Sequence, residues 1–361
     1  MPEHMKKPAA GRVAAYEWLR LIATLFVVVG HSAYWVVHTT YGGIYYNWAL
    51  EWAAPVYFSA VFDAARRMAT WVYGFHMPLF FCLSGAVLHL KPIGPLGPFV
   101  HKKARRLLVP YYVCGLVFML PVKGLCGFYT RENFPLAVGT FLFGGNDSGH
   151  LWFLTALFWC MLAFALLQKA AARFLPALPG GAALPLLLAA GLIQQFAAPR
   201  IPVDLFGFAR GMENLFWFAL GYAVDSLRPR WEHRPLPVLA GGFAAVSGFW
   251  LAAARAGLLG VRTTALTGCI WSFLLALLCA RLLGRVAQSR WYRVLVRNLF
   301  YVYLFHDPLE YVVLKLSMDA RLLAYNGGCW FYLFCRIFGV ILASVALGEA
   351  LTALRRRRTT V

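Results

Sequence analysis

Acidic residues are scarce in this chain. Asp and Glu number 14 among 361 residues, against 34 Lys and Arg, and charged residues of both signs make up only 13%. A soluble domain carries about 25%. So little charge excludes a disordered chain, which stays unfolded through high charge and low hydrophobicity. It also excludes a coiled coil, whose apolar seam needs charged flanks. A soluble enzyme is disfavoured too, because 61% of the residues are hydrophobic and mean hydropathy is +0.64. The eight cysteines form no CxxC pair, which argues against a zinc site, a dithiol redox centre or a disulfide-stapled mini-domain. Most sit in apolar runs, as small core residues do. Cys126 and Cys329 fall at outer helix ends, which leaves a disulfide between them open. No P-loop, Rossmann fingerprint, HExxH or GxSxG stands in a fitting context. There is no internal repeat, no low-complexity linker and no stretch that reads as an appended soluble domain.

What the chain has is long apolar runs. A hydrocarbon core of ~30 Å takes ~20 mostly apolar residues per helix. Ten segments qualify, at about 16–37, 69–90, 107–126, 150–168, 181–198, 205–224, 235–255, 264–284, 297–318 and 329–354. The first follows Lys6, Lys7 and Arg12 as a signal peptide would. It contains Arg20 and His31 and has no small-residue cleavage site, so it reads as a retained helix. The formal net charge of +20 lies in short basic clusters between the runs. Counted over alternate sides of ten spans, 22 Lys and Arg fall on one side and eight on the other. That is the positive-inside asymmetry of a membrane protein, not the footprint of a nucleic-acid binder. The expectation is an all-α integral membrane protein of about ten transmembrane helices with both termini cytosolic. One polytopic domain fills 1–361, with a core over about 12–355 and a basic cytosolic tail at 355–361.

Ionisable groups inside spans are costly and are usually functional. Arg20 and His31 of the first span lie eleven residues apart, which puts them on one helix face about 16 Å apart. His76-Met77-Pro78 interrupts the second span, where proline breaks the ladder and frees carbonyls; Ser84 and Gly85 follow as a small packing surface. Lys102, Lys103, Arg105 and Arg106 open the third span, as an anion site or as a topology signal. His150 and Trp152 stand at the outer boundary of the fourth. In the sixth, Arg210 is spaced to meet Glu213 and Asn214, and Gly207 and Gly211 form a GxxxG packing signal. The ninth carries His306, Asp307 and Glu310, too polar to face lipid, with Lys315 placed to pair with Glu310 or to snorkel.

Taken together these residues resemble the membrane-bound acyltransferase 3 family, which O-acylates cell-surface glycans and related molecules. The matching features are Arg20 with His31, Pro-Leu-Phe-Phe-x-Leu-Ser-Gly at 78–85, and the basic stretch Arg105-Arg106 running to Pro110-Tyr111. They continue with His150-Leu151-Trp152-Phe153-Leu154, Phe218 with Gly221-Tyr222, and Tyr303-Leu304-Phe305-His306-x-Pro308. Glu17 and Leu21 stand near the places where the family commonly has Asp and Gly. The extracytoplasmic hydrolase-like domain of some members has no counterpart, so any handover to one is absent or is supplied by another protein.

The resemblance implies a transferase of acyl groups other than aminoacyl groups in a bacterial inner membrane. The donor is a cytosolic acyl-CoA, most often acetyl-CoA, used as co-substrate. The acceptor is a hydroxyl of a glycan, a lipid-linked sugar or a related cell-envelope molecule, and no metal is needed. His31 is expected as general base, since an imidazole takes a proton near neutral pH, with an acyl-histidine as the variant. Arg20 and His306 join it as catalytic candidates. Arg105, Arg106, Lys102 and Lys103 are expected to hold the phosphates of coenzyme A. His150, Trp152, Asp307, His76 and Ser84 are expected on the acceptor side. Membrane lipids are the remaining partner, and nucleic acid is not one. The alternative is a proton- or anion-coupled transporter or flippase of envelope precursors, using the same buried groups as a pathway.

Overall fold

The structure is a computed structural model that describes residues 13–33, 55–91, 93–143, 146–174 and 183–359. Helices form the frame, and no β-strand occurs among the described residues. Helix α1 (Ala14–His31) is followed by α2 (Pro55–Tyr73) and α3 (His76–His89). Then α4 (Leu96–Cys114) passes through a π turn at 115–119 into α5 (Leu120–Leu125), and α6 (Phe134–Leu142) leads to α7 (Trp152–Phe174). After α8 (Ala183–Leu192) come α9 (Phe208–Glu213), α10 (Leu215–Ser226), α11 (Leu236–Arg255) and α12 (Val261–Leu282). The chain closes with α13 (Arg290–Asp319), α14 (Asn326–Phe334), a second π turn at 335–339, and α15 (Val340–Thr359).

Seven helical stretches among the described residues are long and apolar enough to cross a membrane: Ala14–His31, Asp63–His89, Leu96–Leu125, Gly149–Phe174, Leu236–Arg255, Val261–Leu282 and Asn326–Arg357. This is a multi-pass membrane protein. The other three expected spans look different. The fifth is the short α8 with a π turn, the sixth is divided between α9 and α10 at Asn214, and the ninth is the charged α13. Helix α1 ends at His31. Residues 34–37 of the first expected span lie outside the described residues, as do 1–12 and 360–361.

Helix α3 lies flat against α10 because two glycines allow it. A methyl group at Gly85 would overlap the carbonyl oxygen of Phe218, and one at Gly221 would overlap that of Cys82. Each glycine sits in a motif noted above, and each makes room for the other helix's backbone. The GxxxG at Gly207 and Gly211 does the same against α7. Side chains there would strike Thr155 and, at 2.8 Å, the Ala156 oxygen.

Three local expectations change. Arg210 does not pair with Glu213, which is exposed. Phe206 turns the chain with φ 52, and Asp204 comes within 3.0 Å of the Arg210 guanidinium instead. Lys315 pairs with Asp319 at 2.7 Å, while Glu310 takes Arg336. Cys126 and Cys329 share a core cluster but form no disulfide with each other, and Cys329 Sγ donates to the Leu323 oxygen.

Candidate active site

A cavity of about 520 Å³ opens among the ends of α1, α2, α3, α5 and α7 and the middle of α13, a volume in the range that holds small ligands. Its walls are largely aromatic: Tyr73, Phe80, Phe128, Trp152, Phe153, Tyr303 and Tyr311. Five polar side chains break that surface: His31, His76, Lys123, His150 and Asp307. Asp307 is the hub. Its Oδ1 stands 3.2 Å from His31 Nδ1, and its Oδ2 accepts from Lys123 Nζ at 2.8 Å and from His150 Nδ1 at 3.1 Å. Lys123 and Asp307 are both 5% exposed. A buried charge is tolerable when it is paired and hydrogen-bonded, and here each ion meets the other's need. The Lys123 ammonium also lies over the rings of Tyr311 and Phe128, at 4.7 and 5.2 Å.

The local sequence explains how these groups arrive. Pro308 lies inside α13 and has no N–H, so the Leu304 carbonyl loses its helical partner. His150 Nε2 fills that role at 3.0 Å, and Cys114 Sγ adds a second contact at 3.3 Å. Both ring nitrogens of His150 therefore face acceptors, one a carboxylate and one a carbonyl, which fixes the orientation of the ring. Gly149 holds φ 47 and ψ −139, a conformation open to glycine alone, and a Cβ there would stand 3.0 Å from Lys123 Nζ. The break at the start of α3 is likewise resolved by a histidine: His76 Nδ1 donates to the Val72 oxygen at 3.0 Å. Pro308→Ala is expected to raise Tm, because it restores a backbone bond. It should lower turnover by about one to two orders of magnitude, because His150 loses its acceptor. Thermal scans beside turnover measurements check this; a fall in both would make Pro308 a folding residue.

Of the residues expected from sequence, His31, His150, Trp152, Asp307 and His76 line this one cavity. His306 does not line it. It is fully buried behind the cavity, its ring 4.8 Å from that of His31 and 5.0 Å from that of His150, with Nδ1 donating to the Tyr303 and Val302 oxygens. Asp307 contacts the other two histidines rather than its chain neighbour. Arg20 is exposed on α1, eleven residues before His31 and outside the cavity. Lys102, Arg105 and Arg106 are exposed on α4, and half-buried Lys103 lies over the Phe99 ring at 5.2 Å. From Arg106 to Lys123 the chain runs 17 residues of helix, about 25 Å, so this basic group sits at the far end of the bundle from the cavity. Ser84 is half-buried on α3, also outside the cavity.

Two charged residues escape the sequence reading. Lys123 counts there only as an outer-side topology charge, yet a lone lysine after Pro121 in an apolar helix is a visible signal. Arg336 is an arginine inside the last span, which the rule on intramembrane charges covers.

No curated protein and no solved structure matches the chain. A family model described as an acyltransferase domain matches residues 13–349, nearly the whole chain. That range includes α1 through α14 and every residue of the cavity, and it lends no support to the transporter reading. The chain belongs to the acyltransferase 3 family.

Proposed function

We propose that this protein is an O-acyltransferase that moves an acyl group from a cytosolic acyl-CoA to a hydroxyl of a cell-envelope glycan or lipid-linked sugar. The acyl group is acetyl in this reading, and the membrane is a bacterial inner membrane crossed about ten times with both termini in the cytosol. The observation that carries the reading is His31 bound through Nδ1 to Asp307 in an aromatic-walled cavity, in a chain of an acyltransferase family. Donation of Nδ1–H to the carboxylate selects the tautomer whose basic lone pair is on Nε2, the arrangement a general base needs.

The reaction then follows from ordinary chemistry. The acceptor hydroxyl gives its proton to His31 as its oxygen attacks the thioester carbonyl. The carbonyl π electrons move to oxygen, and the Lys123 ammonium beside the cavity stabilises that oxyanion. Collapse breaks the carbon–sulfur bond, coenzyme A leaves as a thiolate, and His31 returns the proton to sulfur. Asp307 stays ionised and steadies the imidazolium. His76 and Trp152 hold the acceptor, and His306 backs the two reactive imidazoles. Arg20, Arg105, Arg106, Lys102 and Lys103 bind the phosphates at the cytosolic end, because guanidinium forks match phosphate oxygens. The donor then extends through the bundle to the cavity.

Arg105→Ala with Arg106→Ala is expected to raise KM for acetyl-CoA by about tenfold or more, with little change in KM for the acceptor. Steady-state kinetics with each substrate varied in turn check this, and an unchanged acetyl-CoA dependence returns these residues to a topology role. The whole reading is tested on protein in nanodiscs with radiolabelled acetyl-CoA and membrane glycolipids. Label entering the lipid or sugar fraction supports it. Absence of both transfer and acyl-CoA binding overturns it.

A further inference from the structure

Among the described residues Arg336 is the most deeply buried Lys or Arg, at 2% exposure, and its partner Glu310 is 1% exposed. An ion pair so far from water costs more than a well-packed apolar pair unless its geometry is used. Here all four terminal N–H groups of the guanidinium have acceptors. Nη1 donates to the Ser32 oxygen at 3.0 Å and to the Tyr332 hydroxyl at 2.8 Å. Nη2 donates to the His31 oxygen at 3.1 Å and to Glu310 Oε2 at 3.0 Å. The two carbonyls are at the C-terminus of α1, where helical carbonyls have no partner within the helix and carry the negative end of its dipole. Glu310 lies three residues after Asp307, one turn along α13. Arg336 itself sits in the π turn at 335–339, an irregularity frequent at functional sites.

The same turn of α13 thus holds His31 twice. Asp307 takes the ring, and Glu310 takes the backbone through Arg336. We infer that Arg336 is a positioning residue, which clamps the end of α1 to α13 and so sets the His31–Asp307 contact without lining the substrate cavity. This rests on the role given to His31 above. Lysine cannot replace it: an ammonium has three donors from one point, whereas four acceptors lie around the planar fork.

The test uses the full chain in nanodiscs, as wild type, Arg336→Lys, and Arg336→Met with Glu310→Met. The double variant keeps the buried volume without charge, a change buried ion pairs often tolerate, so it stays informative if the lysine variant misfolds. Acetyl transfer to glycolipids is expected to fall about 10²-fold in kcat for both, with KM for acetyl-CoA unchanged. A second readout needs no turnover: the rate of carbethoxylation of His31 by diethylpyrocarbonate, resolved by peptide mass spectrometry with His89 as internal reference. It is expected to slow about fivefold or more at His31 alone, because the ring loses the carboxylate that holds Nδ1–H and keeps the lone pair on Nε2. In the Asp307→Asn background, the Arg336 changes should add nothing to that rate, since the contact they act through is gone. A double-methionine variant with wild-type kcat and wild-type His31 reactivity would overturn the inference. So would an undiminished effect of the Arg336 changes in the Asp307→Asn background. If wild type neither transfers an acetyl group nor binds acyl-CoA, the functional reading fails, and the carbethoxylation series still decides the positioning claim.

Discussion

Asp307→Asn is expected to lower kcat about 10⁴-fold while acetyl-CoA still binds, by the logic of the aspartate behind a catalytic histidine. Asp307 offers acceptors on both sides: Oδ1 to His31, Oδ2 to Lys123 and His150. An asparagine keeps one acceptor. With that oxygen turned to the Lys123 ammonium, its amide N–H₂ faces His31 Nδ1, and the imidazole must present a lone pair there. The proton then sits on Nε2, where the base should be. The substitution also leaves a buried lysine without its counter-charge, at a cost of about 3–5 kcal/mol. The two effects separate in one further variant. Adding Lys123→Met to Asp307→Asn is expected to recover Tm without recovering kcat. Thermal scans and single-turnover kinetics on the pair of variants check this, and recovery of turnover with Tm would reduce Asp307 to a structural counter-ion.

Gly221→Ala is expected to destabilise the protein by about 3 kcal/mol, at the upper end for overpacking, because the added methyl meets backbone and not a side chain that can rotate away. The overlap is with the Cys82 oxygen of α3, and the reciprocal notch at Gly85 faces the Phe218 oxygen of α10. Gly241→Ala supplies the contrast. Gly241 lies within α11 with open space around it, so alanine there gains about 1 kcal/mol of helix propensity. Unfolding midpoints in detergent should move in opposite directions for the two variants. Equal midpoints would mean that α3 and α10 can separate at no cost.

The helical membrane character and much of the cavity are legible in the sequence, because ionisable groups in apolar runs are expensive wherever they stand. His31, His150 and Asp307 stand out on that ground alone. Their convergence does not: His31 and Asp307 are 276 residues apart in sequence, and periodicity along one helix says nothing of which face meets which. Local rules mislead where the helix they assume is broken. Arg210 and Glu213 have the spacing of a helical pair, but the turn at Phe206 brings Asp204 to Arg210 first. Lys315 has two acidic neighbours on α13, and the one toward the helix end, Asp319, wins because Arg336 from another helix already holds Glu310. Lys123 is hidden by its position near a span end, where an interfacial lysine is ordinary; only the tertiary structure shows it folded back onto Asp307.

The most direct measurement is a single-turnover transfer experiment on wild type and His31→Ala in nanodiscs, with acetyl-CoA binding measured on the same samples. Side-chain burial does not depend on His31, since His76, His150 and Lys123 keep their own partners, so both proteins should fold and bind the donor. The account predicts that label passes from acetyl-CoA to a membrane glycolipid hydroxyl with wild type and not with His31→Ala. Transfer at the wild-type rate by His31→Ala would contradict it, because no other residue is assigned to take the proton from the acceptor.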